Sequence, residues 1–299
     1  MWYNKKVMSV GRTLLKRKPE KGIDMVELLK KGYKMLIADF DNTLARFDST
    51  VSLKVKEATE RYREEGGIFV VCSGRALPST RLMMRLNGIE GMVAACHGAV
   101  VADESDNILT RMEMEISKAL KCLSLLEERE VFYIVFADDI LVCNFDCERR
   151  LLYEKSSGCP VEVKSNVPEW LKGKSGGVQK ILVIDDPEAL GKLSASIGAG
   201  LPEGVNVSGS SNHFMEIVDD KSTKGKAVEF LAGKYGLDRR EVIAVGDSAI
   251  DVPMLRAAGL GVAVRNASRV CKEGAGAVCQ YSCDEDAVGH IITDKEWTE

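Results

Sequence analysis

The sequence lacks any long apolar run and any secretory signal. Its hydrophobic stretches fall far short of the ~20 residues that a membrane-spanning helix needs, and its basic N-terminus has no apolar segment of the signal-peptide kind. The nine cysteines include no C-x-x-C pair and none of the spacings typical of zinc sites. We therefore expect a cytoplasmic chain with reduced thiols and no membrane partner.

The chain also lacks a strong excess of charge. A net charge of −4 gives no general reason to expect nucleic-acid binding. Residues 1–34 are an exception, with ten Lys and Arg against three Asp and Glu. We interpret this basic N-terminal arm as solvated, with docking to an acidic partner as the alternative. The sequence does not indicate an oligomeric state.

Strand and helix patterns alternate through two separate parts of the chain. Residues 35–111 open with a βαβαβ pattern, and residues 209–299 resume the alternation. Both parts predict one α/β core, a doubly wound, Rossmann-like parallel sheet. Residues 112–208 have a mixed pattern, so we expect an inserted α+β cap domain hinged near residues 110 and 210. The expected strands include 35–39, 68–72, 178–184 and 242–246, and the expected helices include 24–31, 51–65, 187–197, 223–235 and 266–273.

Polar motifs follow three of the predicted core strands, and a fourth opens a predicted helix. Ligands of an open parallel sheet bind outside the carboxyl ends of its strands. The order of the motifs therefore predicts one site with several carboxylates, a hydroxyl and an ammonium, which suits a phosphate and a divalent metal. The motifs are Asp39-Phe40-Asp41-Asn42-Thr43-Leu44, Ser73-Gly74-Arg75, Ser222-Thr223-Lys224-Gly225-Lys226 and Gly246-Asp247-Ser248 with Asp251.

Two pairs of aspartates are candidates for the chemistry. At a strand end, Asp39 and Asp41 both reach one site, so one can attack phosphorus while the other transfers protons. Asp247 and Asp251 offer the oxygen ligands that Mg²⁺ prefers. The alternative is that these aspartates only cap helices and turns.

The other candidates would bind the phosphate. Lys224 supplies a positive charge beside a helix N-terminus, which itself favours anions. Ser73 and the backbone N–H groups of Gly74 and Phe40 would bind phosphate oxygens in a nest of amides. For Lys224 alone, a solvated surface lysine would be the simpler interpretation.

The four motifs in this order resemble those of the haloacid dehalogenase superfamily, and within it the Cof-type phosphatases with a C2 cap. The resemblance covers about residues 35 to 292, including the tail segments Gly261–Ala267 and Asp284–Val288. It implies Asp39 as nucleophile, Asp41 as acid and base, and Mg²⁺ as cofactor. It also implies a phosphate site of Phe40, Asp41, Ser73, Gly74 and Lys224, and a metal site of Asp39, the Asp41 carbonyl, Asp247 and, in support, Asp251.

Three residues depart from the pattern of that family. Asn42 replaces a glycine, and Asn tolerates left-handed backbone better than most residues. Ile250 replaces an asparagine beside the metal site, which would alter the surroundings of the metal. His97 replaces the asparagine of an Asn-Gly-Ala pattern and is expected near the cap-facing mouth of the site.

Together these features predict a Mg²⁺-dependent phosphatase that acts on a small phosphorylated metabolite through an aspartyl-phosphate intermediate. Sugar phosphates are the leading substrate class on grounds of the resemblance. A sugar phosphomutase and a phosphometabolite-binding protein with little turnover are the alternatives. Specificity should come from the cap, where Tyr133, Phe136, Asp138 and Trp170 are candidates that also suit the interior or surface of the cap.

Overall fold

The computed structural model describes residues 25–298. Most of the predicted basic arm, residues 1–34, therefore lies outside the described residues. Of the helix predicted over 24–31, the structure shows Glu27–Lys30. Within the described part of the chain, no helix is long and apolar enough to cross a bilayer.

The strands predicted over 35–39, 68–72, 178–184 and 242–246 are confirmed at these bounds. Most residues of these strands are buried, which explains why they read as nearly continuous apolar runs. In chain order the strands are β1 (Met35–Asp39), β2 (Ile68–Cys72), β3 (Met92–Ala95), β4 (Val100–Ala102), β5 (Ile108–Arg111), β6 (Tyr133–Ala137), β7 (Ile140–Cys143), β8 (Val161–Val163), β9 (Val178–Ile184), β10 (Val205–Ser211), β11 (Phe214–Asp219), β12 (Val242–Gly246), β13 (Leu260–Ala263) and β14 (Ala277–Val278).

Several helices begin at a residue whose side chain caps them. The helix expected over 51–65 starts after Ser52, whose side chain accepts a hydrogen bond from the Val55 N–H. The helix expected over 266–273 begins only at Arg269, because Asn266 instead bonds to the backbone of Asn42 and Cys283. The α-helices are α1 (Glu27–Lys30), α2 (Leu53–Glu64), α3 (Leu77–Asn87), α4 (Ile116–Glu127), α5 (Glu148–Ser157), α6 (Val167–Lys172), α7 (Pro187–Ile197), α8 (Lys224–Tyr235), α9 (Val252–Ala257), α10 (Arg269–Gly274) and α11 (Ala287–Thr293).

The larger sheet has the order β14-β13-β12-β1-β2-β3-β4-β5. Its strands from β14 to β3 are parallel, and β4 and β5 add an antiparallel edge. With α2 packed against α11 and α8 against α9, this is the predicted α/β Rossmann-like core. β1 lies between β2 and β12, so the ends of these three strands are neighbours.

The second sheet has the order β10-β11-β9-β6-β7-β8 and is antiparallel except for the β7–β8 pair. It is the sheet of the cap, and it extends further along the chain than the segment 112–208 that we expected. β11 pairs with β9 through Phe214–Ile217, so the return to the core comes after Asp219. The cause is a long-range pairing: the apolar residues after 208 complete the cap sheet, although their local pattern resembles that of a core strand.

The cap packs on the core through an apolar cluster of its own. Small core residues (Ala76, Cys96 and Ala99) contact cap residues such as Phe136 and Leu182. The two crossings between core and cap, residues 112–115 and 220–223, lie side by side, because the Ser222 hydroxyl donates to the Met112 carbonyl. The hinge that we expected near residues 110 and 210 stays a prediction, and these two crossings are where it would lie.

We predict that deleting residues 113–221 and joining the ends with a short Gly/Ser linker leaves a core that melts cooperatively. Deleting only 112–208 should instead give an aggregating product without a cooperative transition, since Met215 and Ile217 of β11 are buried in the cap. Calorimetry of the two proteins checks this. Equal behaviour of both, or a non-cooperative product of the longer deletion, would contradict the division into domains.

Candidate active site

The site forms where β1 ends between its two neighbours. Asp39 is the last residue of β1 and lies opposite Cys72 at the end of β2. On the other side, Ala38 pairs with Val245, which brings Asp247 to the same edge of the sheet. The parallel register therefore brings together the first, second and fourth motifs, as the sequence predicted.

Lys224 enters this edge from the first residue of α8. The helix begins there because the Thr223 side chain accepts a hydrogen bond from the Lys226 N–H. The Lys224 ammonium contacts the Asp39 carboxylate and lies 2.5 Å from Asp251 Oδ1. Burial lowers the pKa of Lys224, but the charges of Asp251 and Asp39 outweigh this effect and raise it. Lys224 is thus a buried, charged group paired with two carboxylates.

Asp39, Asp247 and Asp251 form an acidic cluster whose candidate ligand oxygens all lie within 4.8 Å of one another. Burial, together with the charge of Asp251, raises the pKa of Asp247 to about 6. Burial is also the main reason why the pKa of Asp39 is raised well above its ordinary value, against the lowering effect of Lys224. The single positive charge of Lys224 does not balance these three carboxylates. Carboxylate oxygens are the ligands that a hard divalent cation such as Mg²⁺ prefers, so this donor set fits such a cation.

Asp251 uses its oxygens to hold the other groups in place. Its Oδ2 accepts hydrogen bonds from the N–H groups of Asp247 at 3.0 Å and Ser248 at 2.9 Å. Its Oδ1 takes the Lys224 ammonium. Thr43, in the first motif, donates to Asp247 at 3.0 Å. Asp251 therefore fixes the turn after β12, while Asp247 faces Asp39.

Asp41 is held by an arginine of the second motif. Arg75 donates from Nε and Nη2 to the two oxygens of Asp41, both at 2.8 Å. Asn42, with φ at 59°, adopts the left-handed conformation expected of the residue that replaces glycine. The Nη1 group of Arg75 donates to the Ser156 carbonyl in the cap at 3.2 Å. One arginine thus links the proposed acid and base to the cap.

The Ser73-Gly74-Arg75 loop is fixed through its carbonyl groups. The Ser73 carbonyl accepts from the His97 N–H, the Arg75 carbonyl from the Cys96 N–H, and the Gly74 carbonyl from Lys180 Nζ at 2.8 Å. Among the described residues, the Gly74 N–H has no backbone or side-chain acceptor. The Gly74 amide therefore lies unpaired at the cavity, while Ser73 is buried beside it, and phosphate binding by these two residues stays a prediction.

A cavity of about 330 Å³ opens over these groups and reaches the cap. Its core lining includes His97 and Ile250, two of the residues that depart from the family pattern. Tyr133, Phe136 and Trp170, which we considered as substrate contacts, do not line it, and neither does Asp138. Tyr133 and Phe136 are instead fully buried in the cap. The cap residues that line the cavity are Tyr153, Ser156, Ser157, Lys180, Leu182, Phe214 and Glu216.

The sequence reasoning missed Lys180 and Glu216. Both are buried charges in apolar strands, Lys180 in the run Val178–Ile184 and Glu216 in Phe214–Asp219. The signal that could have identified them is a charged residue within an apolar run. Leu182 lies two residues from Lys180, and Phe214 two residues from Glu216, on the same face of each strand. Their pairing across the sheet was not visible in the sequence.

A sequence model of haloacid dehalogenase-like hydrolases matches residues 36–292. The chain is similar to the putative phosphatase YxeH of Bacillus subtilis strain 168, with 28% identity over 87% of this chain and 97% of that protein. It is also similar to the 5-amino-6-(5-phospho-D-ribitylamino)uracil phosphatase YwtE of the same organism, with 27% identity over 87% of this chain and 96% of that protein.

Comparison of structures gives the same result. The crystal structure of TM0651 from Thermotoga maritima superposes with a TM-score of 0.77 and 26% sequence identity. The match covers 87% of this chain and 96% of the other chain. Core and cap are therefore both included in the similarity.

We predict that Mg²⁺ raises the melting temperature of the protein. A ligand at about 100 times its Kd stabilises by roughly 2.7 kcal/mol, which corresponds to several degrees. Asp247→Asn should abolish the rise in melting temperature that Mg²⁺ causes. Without Mg²⁺, this variant should melt no lower than the wild type, because the substitution removes one of the carboxylates that repel each other. Differential scanning fluorimetry with and without Mg²⁺ tests this, with Asp146→Asn on the cap surface as control. An undiminished Mg²⁺ effect in Asp247→Asn would contradict the metal site.

Proposed function

We propose that this chain, which belongs to the haloacid dehalogenase-like hydrolases and is a Cof-type phosphatase, hydrolyses a small phosphorylated metabolite with Mg²⁺ as cofactor. The observation that carries the proposal is the arrangement of buried Asp39 and Lys224 with half-buried Asp247, at the place where β1 and β12 end and α8 begins. It offers a nucleophile, a fixed positive charge and a metal ligand to one phosphoryl group.

In the first step, an Asp39 carboxylate oxygen would attack phosphorus in line with the leaving oxygen. The new O–P bond gives an aspartyl phosphate, and the bond from phosphorus to the leaving oxygen breaks. Lys224, already at Asp39, would balance the charge on the phosphoryl oxygens, and Ser73 and the Gly74 N–H would bind them. A proton on one Asp41 oxygen would pass to the leaving oxygen. The Asp41 oxygen that carries this proton would have to release its hydrogen bond to Arg75.

In the second step, Asp41 would take a proton from a water that attacks the phosphorus of the aspartyl phosphate. The Asp39–phosphorus bond breaks, and inorganic phosphate leaves. Asp39, the Asp41 carbonyl and Asp247 would hold Mg²⁺, with Asp251 in support, and bound Mg²⁺ supplies positive charge for the transferring phosphoryl group. When Asp41 is deprotonated, Arg75 holds both of its oxygens, so the same carboxyl is positioned for the second step.

The size of the cavity supports a small substrate. A volume of about 330 Å³ lies at the low end of the usual range for ligand sites. The name of YwtE describes a phosphatase of a phosphorylated ribityl compound. A sugar or sugar-alcohol phosphate is therefore the substrate class that we propose.

We predict that Asp39→Asn lowers turnover of p-nitrophenyl phosphate to well under a tenth of the wild-type rate, since the loss of covalent catalysis costs several kcal/mol. The variant should keep a cooperative melt, because Asn has the same shape and Lys224 retains Asp251. Assays with Mg²⁺ and with EDTA measure the effect. A rate above about a tenth of wild type would rule out Asp39 as nucleophile, and wild-type activity that is indifferent to EDTA would rule out the metal.

Asp41→Asn should affect substrates according to their leaving group. An alkyl phosphate needs a proton on its leaving oxygen, so we expect a loss of about 10²–10⁴-fold. p-Nitrophenyl phosphate needs little protonation and should lose less in formation of the aspartyl phosphate. Single-turnover rates for both esters separate the two effects, with Asp138→Asn in the cap as control. Equal losses for both esters would remove the role of Asp41 as acid.

A further inference from the structure

Each positively charged side chain that lines the cavity is already paired with a carboxylate. Arg75 is paired with Asp41 at 2.8 Å, Lys180 with Glu216 at 2.5 Å, and Lys224 with Asp39 and Asp251. Lys224 and Arg75 belong to the phosphoryl end of the cavity. Lys180 differs because it comes from the cap and lies at the junction where a leaving group would emerge.

Lys180 is held in a buried network that crosses from cap to core. Lys180 and Glu216 are only 3% and 2% exposed, and Lys180 Nζ also donates to the Gly74 carbonyl at 2.8 Å. Burial opposes ionisation of both groups, but their mutual attraction prevails: the pKa of Lys180 is raised and the pKa of Glu216 is lowered. Both side chains are therefore charged, and each neutralises the other.

The second carboxylate oxygen of Glu216 is hydrogen-bonded to His97. Its Nε2 lies 2.5 Å from Glu216 Oε2, and it donates because the carboxylate can only accept. Its Nδ1 is buried without a hydrogen-bond partner among the described residues. Glu216 thus has one donor on each oxygen and is directed at Lys180.

Apart from Lys180 and Glu216, none of the described cap residues that line the cavity carries a charge. Leu182 and Phe214 offer apolar surface, and Tyr153 packs edge-on against Phe214 with ring centroids 6.1 Å apart. Burial raises the pKa of Tyr153 to about 12, so its hydroxyl stays neutral. An adjoining cavity shares Tyr153 and Phe214, and Arg149 on its wall is paired with Asp185 at 2.5 Å.

We propose that Glu216 is a specificity-determining residue that restricts this site to phosphate monoesters with an uncharged leaving group, because it neutralises Lys180, the cap cation that lines the cavity. The inference rests on the proposed phosphatase function and adds the charge of the substrate to it. A carboxylate or second phosphate on the leaving group would meet apolar groups and an ion pair, with no positive charge free to compensate it.

The effect of charge can be separated from that of shape by using isosteric pairs, one in the substrate and one at residue 216. 4-Carbamoylphenyl phosphate and 4-carboxyphenyl phosphate have nearly the same shape and differ by one negative charge, as do Gln and Glu at position 216. For the wild type with Mg²⁺, we expect kcat/KM to be at least about tenfold higher for the carbamoyl ester. In Glu216→Gln, Lys180 has lost its counter-charge, so this ratio should fall at least about fivefold.

The two leaving groups differ in intrinsic reactivity, but this difference is the same for both enzymes. It therefore cancels when the kcat/KM ratio of the variant is compared with that of the wild type. Glu113→Gln is the matched control: Glu113 pairs with Arg111 at 2.8 Å and does not line the cavity, so the ratio should stay at the wild-type value. Should Glu216→Gln not fold, the wild-type ratio decides alone. A wild-type ratio near one, or an unchanged ratio in folded Glu216→Gln, overturns the inference and leaves the phosphatase function intact. No hydrolysis of either ester with Mg²⁺ overturns the proposed function, and the inference with it.

Discussion

The buried ammonium of Lys224 is the interaction on which the site depends. A lysine that is only 4% exposed is tolerable because it contacts Asp39 and Asp251, and removing both partners would leave an uncompensated buried charge. These contacts join the end of β1, the start of α8 and the turn after β12. Because the three segments are far apart in the chain, the ion pairs form only when the parallel sheet has its final order.

The sheet explains why much of the site could be predicted from the sequence. Buried parallel strands are short apolar runs, and the polar residue that follows each run marks its carboxyl end. Asp39, Ser73 and Asp247 could therefore be assigned to one edge of the sheet without knowledge of their distances. The order of the motifs then indicated a family, and a family model matches over 36–292.

Features that arise from pairing between distant segments could not be predicted. The cap extends through β11 because Phe214–Ile217 pair with β9, and no local pattern distinguishes such a strand from a core strand. Similarly, Lys180 and Glu216 appeared as isolated charges in apolar runs. Only the register of the cap sheet and its contact with His97 show that they neutralise each other.

The cap and the proposed catalytic groups are positioned by the same contacts. Arg75 holds both oxygens of Asp41 and reaches the Ser156 carbonyl in the cap, and Lys180 bonds to the carbonyl of Gly74 in the Ser73-Gly74-Arg75 loop. Lifting the cap would break both links, which would release Arg75 from Ser156 and leave the Gly74 carbonyl without its donor. Lys180 would keep its pair with Glu216, since both residues belong to the cap sheet, and would lose only its bond to Gly74. The contact between cap and core and the position of the Ser73-Gly74-Arg75 loop are therefore coupled, and under the proposed function the same charge pairs also determine which leaving groups the cavity can accept.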